Sequence, residues 1–515
     1  MRSPVVGARL LGSALVAALL AACTPIAADP APATPGSAAT GAPGSVAAGD
    51  APPGAASTPT PAAPTPVALA TDRGRQGPGV VASGGDSPYN YGPTVVLDGG
   101  RHRMWWCGQL QAAAPAGDDI LYAEAASADG PFAAPGGGPP VPVLSGSVGG
   151  FDGMHTCDPS VIRVAGTYYL YYTGAAGDHA HGNAIGVATS TDGLTWTRAA
   201  GGAPILSPSY DRTRENTYGA GQPSALWLDG WFHLMFTDTT GAAAGWNGAG
   251  QFVLRSKDPL FASGVQALGE GGFAPVAGTR VPRTRSVVDA FSADLVYVDA
   301  LRAFAIAHET EHGTTLTFWN REFTANPHPP VLVPGPWKEG PGLVRTAIGH
   351  APLAAGDPCG RIPFDLVRAT ALDPRSAAPT DLAHFGLDVA GAPGCANEDA
   401  ARVLEGFAVP SPENTVDLVS GGEVVRVERR SVADRLATRV LDRRPPVVDG
   451  MEVVARIPAG VRALRAPDGR IGLLLADARL WVISSAEVAA LNSSPVADVS
   501  QTAWDAHAKA NDPKR

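Results

Sequence analysis

The stretch Pro159-Ser-Val-Ile-Arg-Val-Ala-Gly-Thr-Tyr-Tyr-Leu-Tyr-Tyr172 contains a β-branched run, an Ala-Gly turn and a second run dense in aromatic residues. Strands favour both residue classes, and a short turn with Gly joins antiparallel neighbours, so the stretch predicts a β-hairpin. The pattern recurs as Pro93–Trp106 and Pro223–Phe236, and more weakly as Ala293–Ile306. The copies begin about 65 residues apart, a spacing typical of repeat architectures.

A second turn motif follows each of the first three hairpins. It reads Ser127-Ala-Asp129-Gly, Ser190-Thr-Asp192-Gly and Ser256-Lys-Asp258-Pro. Asp and Ser side chains hydrogen-bond the backbone of tight turns, so each motif indicates a further hairpin. A variant, Thr370-Ala-Leu-Asp373-Pro, follows about two periods later. Four strands per unit and five units predict an all-β fold, a five-bladed β-propeller, in preference to a β-sandwich or a row of separate modules.

The N-terminus has the features of a targeting segment. Arg2 and Arg9 precede the apolar run Leu10–Leu20, which is too short to span a bilayer and suits a signal peptide. The run ends Leu20-Ala-Ala-Cys23, which resembles a bacterial lipobox. We therefore interpret residues 1–23 as a lipoprotein signal peptide with Cys23 as the lipidation site; a plain secretory signal is the alternative. The expected location is the cell envelope, with a lipid anchor in the outer membrane facing the periplasm or at the cell surface.

Composition divides the remaining chain into three parts. Residues 24–80 are rich in Ala, Pro, Thr and Gly and are predicted to be a disordered linker, because they offer little apolar surface to bury. Residues 81–400 hold nearly all the aromatic side chains and form the predicted propeller. Residues 401–515 contain strand-like runs such as Met451–Ile457, so we expect a small β-rich region with a tail after about Ser494.

Cysteine count and charge exclude some classes of function. Without Cys23 four cysteines remain, an even number suited to two disulfides in an oxidising compartment. Three pairings are possible, and we favour the local one, Cys107 with Cys157 and Cys359 with Cys395. The formal net charge is -10 and only four of the 38 basic residues are Lys, which argues against nucleic-acid binding. No phosphate-binding or nucleotide motif stands out, so no cofactor is expected. The strings Asp178–His181 and His308–His312 hold metal-ligand residue types but lack the helical zinc-protease pattern, so no metal is expected. We expect a monomer.

In a propeller, the loop that enters the innermost strand of each blade delivers side chains to the central funnel. The residues before the repeat proline are therefore the candidates for chemistry. They are Tyr91-Gly92, Cys157-Asp158, Gly221-Gln222, Asp289 to Ser292 and Glu339-Gly340. Three of these side chains are carboxylates, which glycosidic hydrolysis uses in pairs, one as the acid and one as the base or nucleophile.

Several of these segments resemble a known family. Asp158–Val161, Gly166–Gly174, Ser190–Trp196 and Glu339-Gly340-Pro341 are similar to segments of the five-bladed propeller glycosidases of family 43 and their family 32 relatives. In family 43 the base Asp, an auxiliary Asp and the acid Glu lie on blades 1, 2 and 3. Here Gly92 stands at the first of these positions and Gln222 at the third, while the Glu-Gly-Pro string lies on blade 5.

The resemblance and the positions lead to one site hypothesis. Glu339 is the acid, Asp158 the base and Asp289 an auxiliary group, since blades 2 and 5 are two steps apart in a ring of five. The candidate substrate-binding residues are Tyr91, Trp106, His155, Glu215, Tyr218 and Gln222, and Glu215 is also a rival acid. The expected function is hydrolysis of a poly- or oligosaccharide. The alternative is a non-catalytic propeller for carbohydrate binding or polysaccharide assembly. In both cases the partners are a carbohydrate and, through the anchor, a membrane.

Overall fold

The computed structural model describes residues 65–83, 89–110, 117–178, 181–370, 381–391, 395, 402–483 and 486–510. The described residues all belong to one compact unit, which spans residues 62–515. Cys23 and the linker up to residue 64 lie outside the described residues, as does Asp373 of the last turn motif. Among the described residues, no helix combines the length and the apolar character that a bilayer crossing requires.

Twenty-one strands of this unit form five groups, and neighbouring strands within each group are antiparallel. The first group contains β2 (Asn90–Asp98), β3 (Arg101–Gly108), β4 (Asp119–Ala125) and β5 (Val141–Ser145). The second contains β6 (His155–Val164), β7 (Thr167–Ala175), β8 (Ala184–Ser190) and β9 (Thr197–Arg198). The third contains β10 (Ala220–Leu228), β11 (Trp231–Asp238), β12 (Gln251–Ser256), β13 (Gln266–Gly269) and β14 (Gly272–Pro275). The fourth contains β15 (Ala293–Val298), β16 (Ala303–Thr310), β17 (Gly313–Asn320) and β18 (Val331–Pro334). The fifth contains β19 (Glu339–Thr346), β20 (Arg361–Thr370), β21 (Asp381–Ala390) and, from the N-terminal side, β1 (Ala70–Ala82).

The predicted hairpins are present at the start of each of the first four groups. In the second group Val164 pairs with Thr167 across the turn formed by Ala165 and Gly166, both with positive φ. Two consecutive positive φ angles define the tight turn whose twist matches that of the flanking strands. The aromatic side chains of the second strands point into the layers between groups, where Tyr171 and Phe236 are fully buried.

The first strands of the five groups contact one another in chain order. β2 contacts β6, β6 contacts β10, β10 contacts β15, and β15 contacts β19. The last strand, β19, then pairs in parallel with β2 through Val344 opposite Val95. The five first strands therefore form a closed ring, which brings the residues that precede them to a common end.

One predicted boundary is wrong. Residues 70–80, which the sequence assigns to the linker, belong to β1, which pairs along its length with β21. The Arg75 side chain forms ion pairs with Asp365 of β20 (3.0 Å) and with Asp388 of β21. The segment has few β-branched residues, so its own composition does not favour a strand. Pairing with a partner about 300 residues away in sequence, a tertiary contact, supplies the strand instead.

The C-terminal region forms two further small sheets. One contains β22 (Ala408–Pro410), β23 (Val416–Ser420), β24 (Glu423–Val427) and β25 (Val453–Ile457). The other contains β26 (Ala463–Arg465), β27 (Ile471–Leu474), β28 (Leu480–Ile483) and β29 (Val496–Asp498). Short helices α1 (Arg430–Leu436), α2 (Ala486–Leu491) and α3 (Gln501–Asp505) accompany them.

This region packs closely on the strands that precede it. Leu404 and Phe407 share one hydrophobic cluster with Phe318 of the fourth group and Phe385 of the fifth. The expected tail after Ser494 is also wrong over its first part, since β29 and α3 are ordered elements and Trp504 is fully buried. Residues 402–451 are thus part of the same core as the fourth and fifth groups.

Candidate active site

Four of the five first strands are interrupted at the residue before the repeat proline. The register shifts there in β2, β6, β10 and β19. These residues are Gly92, Asp158, Gln222 and Gly340, and all have positive φ. A left-handed residue inside a strand forms a bulge that turns its side chain away from the normal alternation. Because a non-glycine residue adopts this conformation only at a cost, its use at Asp158 and Gln222 points to a functional position.

These bulges bring residues of several groups together. A Cβ added to Gly92 would lie 2.9 Å from Oδ1 of Asp158, and one added to Gly340 would lie 2.8 Å from Oγ of Ser292 and 3.6 Å from Cα of Gly92. Groups one, two, four and five therefore meet at this point, and the Asp158 carboxylate occupies the space that a side chain at position 92 would need.

Asp158 is held from two sides by hydroxyl groups. Its exposed fraction is 6 %, and Tyr218 Oη donates to its Oδ2 at 3.4 Å. Burial raises the pKa of Asp158, and the charge of Asp118 acts in the same direction. His155 and the hydrogen bonds from Thr173 and Tyr218 lower this pKa and so favour the carboxylate form.

Glu339, the first residue of β19, is partly exposed and faces the same place. Tyr89 Oη donates to its Oε2 at 3.1 Å. Burial, followed by the charges of Asp158 and Asp118, raises the pKa of Glu339 to about 8, against the opposing effect of the Tyr89 hydrogen bond. At neutral pH Glu339 is therefore mostly a neutral carboxylic acid beside a second carboxyl group.

The sequence interpretation did not include Asp118 or Tyr89. Asp118 precedes β4, and its Oδ2 lies 2.5 Å from Nδ1 of His155, with both side chains almost completely buried. The sequence feature that could have identified Asp118 is the acidic pair Asp118-Asp119 at the start of a strand, because buried strand positions are expected to be apolar. Asp118 thus supplies a third carboxyl group close enough to affect the pKa values of Asp158 and Glu339.

The structure does not place Asp289 in the auxiliary role. Asp289 is exposed and lies against Gly245, whose added Cβ would be 3.3 Å from its Oδ2. The charges that raise the pKa of Glu339 are those of Asp158 and Asp118. Glu215, the rival acid, is also exposed.

Two of the expected sugar-binding residues belong to the core. Trp106 is fully buried and donates its Nε1 to Asn90 Oδ1 at 3.0 Å. Tyr91 is 6 % exposed, and its hydroxyl donates to Cys157 Sγ at 3.1 Å. Neither ring is available to stack on a ligand, because both rings are buried in one hydrophobic cluster. Among the other candidates, His155 is buried against Asp118, while Tyr218 reaches Asp158.

Gln222 lies at the bulge of β10 and is partly buried. Its backbone N–H donates to Thr173 Oγ1 at 2.7 Å, and Thr173 in turn bonds Asp158. The side-chain Oε1 is buried and has no hydrogen-bond partner among the described residues. A donor group of a ligand would satisfy this oxygen.

Two disulfides are present, with the local pairing favoured from the sequence. Cys107 joins Cys157 and Cys359 joins Cys395. The first bond links β3 to β6 one residue before Asp158, so it restrains the strand that carries this carboxyl group. Asp118 lies within 4.8 Å of both sulfur atoms of this bond.

No protein-family model matches the chain, and no curated protein matches it. Solved structures with a similar arrangement include a family 117 glycoside hydrolase from Zobellia galactanivorans, at 14 % identity and a TM-score of 0.43, covering 62 % of this chain and 90 % of that chain. An alpha-L-arabinofuranosidase from Podospora anserina, solved with cellotriose, shares 15 % identity at a TM-score of 0.37 and covers 62 % and 97 %. The catalytic domain of a family 62 alpha-L-arabinofuranosidase from Coprinopsis cinerea shares 12 % identity at a TM-score of 0.37, again covering 62 % and 97 %.

Proposed function

We propose that this protein is a glycoside hydrolase that cleaves a poly- or oligosaccharide with a pair of carboxyl groups. One observation carries the proposal: Glu339, whose pKa is raised to about 8, faces the buried Asp158 at the common end of the first strands. Glycosidic hydrolysis needs a carboxylic acid that keeps its proton at neutral pH, together with a second carboxyl group that is ionised.

The surroundings of the two groups support a proton on Glu339 and a negative charge on Asp158. Asp158 receives hydrogen bonds from Thr173 and Tyr218 and lies near His155, and all three stabilise a carboxylate. Glu339 receives one such bond, from Tyr89. Asp158 therefore ionises first, and its negative charge then holds the proton on Glu339.

In the proposed reaction Glu339 donates its proton to the glycosidic oxygen as the bond to the anomeric carbon breaks. Asp158 takes a proton from the attacking water, whose oxygen forms the new bond to that carbon. Asp118 does not touch the substrate in this scheme. The negative charge of Asp118, whose carboxyl group lies against His155, raises the pKa values of Asp158 and Glu339.

We further propose that the five strand groups are the blades of one propeller. The closed ring of first strands supports this interpretation, and so does β1, which provides the fourth strand of the last group. The glycine at position 92 also has a physical reason in this fold. A base on blade 1 would collide with Asp158, so the carboxylate of blade 2 replaces the one expected on blade 1.

A lipid-anchored position in the cell envelope is part of the proposal. Its support is the lipobox-like Leu20-Ala-Ala-Cys23 after an apolar run. Metabolic labelling with a radioactive fatty acid tests it: the wild-type protein incorporates label and Cys23→Ser does not. Equal labelling of both would contradict the anchor and leave the proposed catalysis untouched.

The catalytic proposal is tested with aryl arabinofuranosides, xylosides, fructosides and galactosides. Glu339→Gln and Asp158→Asn should each lower kcat by about 10²- to 10⁴-fold, the usual contribution of an acid or base. Glu215→Gln removes an exposed carboxylate and serves as the matched control that keeps the wild-type rate. Unchanged hydrolysis in Glu339→Gln would remove the assigned acid.

The second candidate is a non-catalytic carbohydrate-binding or polysaccharide-assembly propeller. The observation that favours it is Gly92, which stands where the family pattern has its base. This alternative predicts that no glycoside is hydrolysed while an oligosaccharide binds with equal affinity to the wild-type protein and to Glu339→Gln.

A further inference from the structure

Trp246 is the most exposed large apolar side chain in the described part of the chain, with 81 % of its surface accessible. It lies in the segment between β11 and β12, in a short 3-10 turn from Trp246 to Gly248. Because β11 runs antiparallel to β10, this segment lies at the same end as the start of β10. The bulge of β6, with Asp158, belongs to this end as well.

The segment that carries Trp246 is fixed by hydrogen bonds. Asn216 Nδ2 donates to Asn247 O at 2.9 Å, and Arg214 donates to the carbonyl oxygens of Thr239, Gly241 and Ala244 at 2.9 to 3.0 Å. The indole is therefore presented to solvent from a rigid support. Exposing a large apolar ring in this way has a cost in water, and a ligand that covers the ring recovers it.

The same hydrogen bonds connect Trp246 to the candidate active site. Asn216 Oδ1 accepts from the N–H of Tyr218, whose hydroxyl donates to Asp158. The loop that supports Trp246 on one side thus delivers Tyr218 to the catalytic pair on the other. On the opposite flank, Gly250 N–H donates to Ala290 O at 3.1 Å, which brings the exposed Asp289 beside the turn.

A second exposed ring lies on the same loop system. Tyr210 is 60 % exposed, its N–H donates to Thr240 Oγ1 at 2.9 Å, and the guanidinium of Arg280 lies over its ring. Two accessible aromatic rings and the exposed carboxylate of Asp289 therefore lie at the end of the third strand group where β10 starts.

We propose that Trp246, with Asp289 beside it, is a distal sugar-binding subsite that holds a glycan unit away from the bond to be cleaved. The C–H face of a sugar ring is apolar and its hydroxyl rim is polar, so an indole face next to a carboxylate matches both. The inference rests on the proposed function for its substrate class. It specifies that the substrate is a chain of several sugar units, and it gives Asp289 a binding role in place of the auxiliary one.

The test uses full-length Glu339→Gln protein, which should hydrolyse its ligand too slowly to disturb the titration. Calorimetric titration compares arabino-, xylo-, cello- and mannohexaose with the corresponding disaccharides. Trp246→Ala should weaken binding of the preferred hexasaccharide by about five- to tenfold and leave the disaccharide unchanged, since one stacking contact is lost. Trp246→Phe keeps a flat ring and should retain most of the affinity. Leu332→Ala, which removes an exposed apolar side chain from β18, is the matched control and should bind as the parent does.

The outcomes separate this inference from the proposed hydrolysis. The subsite proposal is overturned if the Glu339→Gln parent and its Trp246→Ala variant bind the hexasaccharide with equal affinity. It is also overturned if none of the hexasaccharides binds. Aryl glycoside hydrolysis measured in parallel is independent of this result. If binding depends on Trp246 but the wild-type protein hydrolyses no aryl glycoside, the result would support the subsite and refute the catalytic proposal.

Discussion

Replacing Tyr89 by Phe tests the electrostatic account of the site through the direction of a pH shift. Tyr89 Oη donates to Glu339 Oε2 at 3.1 Å, a bond that stabilises the ionised carboxylate and lowers its pKa. Phe keeps the ring, which packs edge-on against Tyr91 at 4.9 Å between centroids. Loss of the hydroxyl alone should raise the pKa of Glu339 further and extend the range over which the acid keeps its proton.

The size of the shift follows from the structure. With a pKa of about 8, Glu339 is about 90 % protonated at pH 7, against about 0.3 % for an ordinary Glu with a pKa of 4.5. A hydrogen bond to a charged group contributes about 1.5 to 3 kcal/mol when buried. Because Glu339 is partly exposed, we assign the hydrogen bond from Tyr89 slightly less than about 1.5 kcal/mol. At about 1.4 kcal/mol per pKa unit, the expected shift of the Glu339 pKa is about one unit.

The assay is the pH dependence of kcat/KM on the best aryl glycoside, which reports the acid of the free enzyme. The alkaline limb should move from about pH 8 in the wild type to about pH 9 in Tyr89→Phe. A titration of the ¹³C-labelled Glu carboxyl groups, assigned with Glu339→Gln, measures the same pKa without a substrate. An alkaline limb that stays in place or moves to lower pH would refute the reasoning, because general disruption of the site lets water in and lowers this pKa.

Three further predictions concern stability. Glu339 binds its proton more tightly in the folded protein than in the unfolded chain. Its ionisation therefore does not destabilise the folded state below pH 4.5, and the destabilisation grows as the pH rises through about 8. Glu339→Gln should therefore melt at a higher temperature than the wild type at pH 9 and at the same temperature at pH 4 in scanning calorimetry, and the reverse order would contradict the raised pKa. Replacing Cys107 and Cys157 together by Ala should lower the free energy of unfolding, measured in urea, by about 4 kcal/mol. This is the chain-entropy value for their separation of 50 residues. A loss below about 1 kcal/mol would argue against this disulfide. Arg75→Gln should lower the free energy of unfolding by about 2 kcal/mol in the same assay, because Arg75 forms ion pairs with two strands next to β1. The control Arg73→Gln changes an exposed residue and should lower it by less than about 0.5 kcal/mol. Equal effects of the two substitutions would show that these ion pairs do not hold β1 in place.

The hairpins could be predicted from the sequence because their determinants are local. In Val161–Tyr172 the alternating strand residues and the turn at Ala165-Gly166 lie within a dozen positions, and the structure pairs them as predicted. The position of Asp158 before the repeat proline was also visible, since the same place recurs in each copy. The left-handed conformation that directs its side chain was not visible, because it depends on the bulge against β7.

The candidate site was predictable only in part, for a reason that particular residues illustrate. Asp118 lies in a loop without a repeat signal, and it matters because folding places its carboxyl group against His155. Asp289 has the expected charge and the expected position in the repeat, yet its loop leaves it in solvent beside Gly245. Which carboxyl group affects the pKa of another depends on distances across strand groups.

By itself, the sequence determined the all-β repeat, the hairpin turns and the two carboxyl residues at the ends of inner strands, because period-two patterning and turn chemistry act between near neighbours. Tertiary structure alone decided that β1 completes the last strand group, that Trp106 is core and that the pKa of Glu339 is raised. Each of these depends on a partner far away in the chain: β21 for the first, Asn90 and the surrounding core for the second, and Asp158 with its buried setting for the third. Burial and charge proximity exist only once the ring of strands has closed.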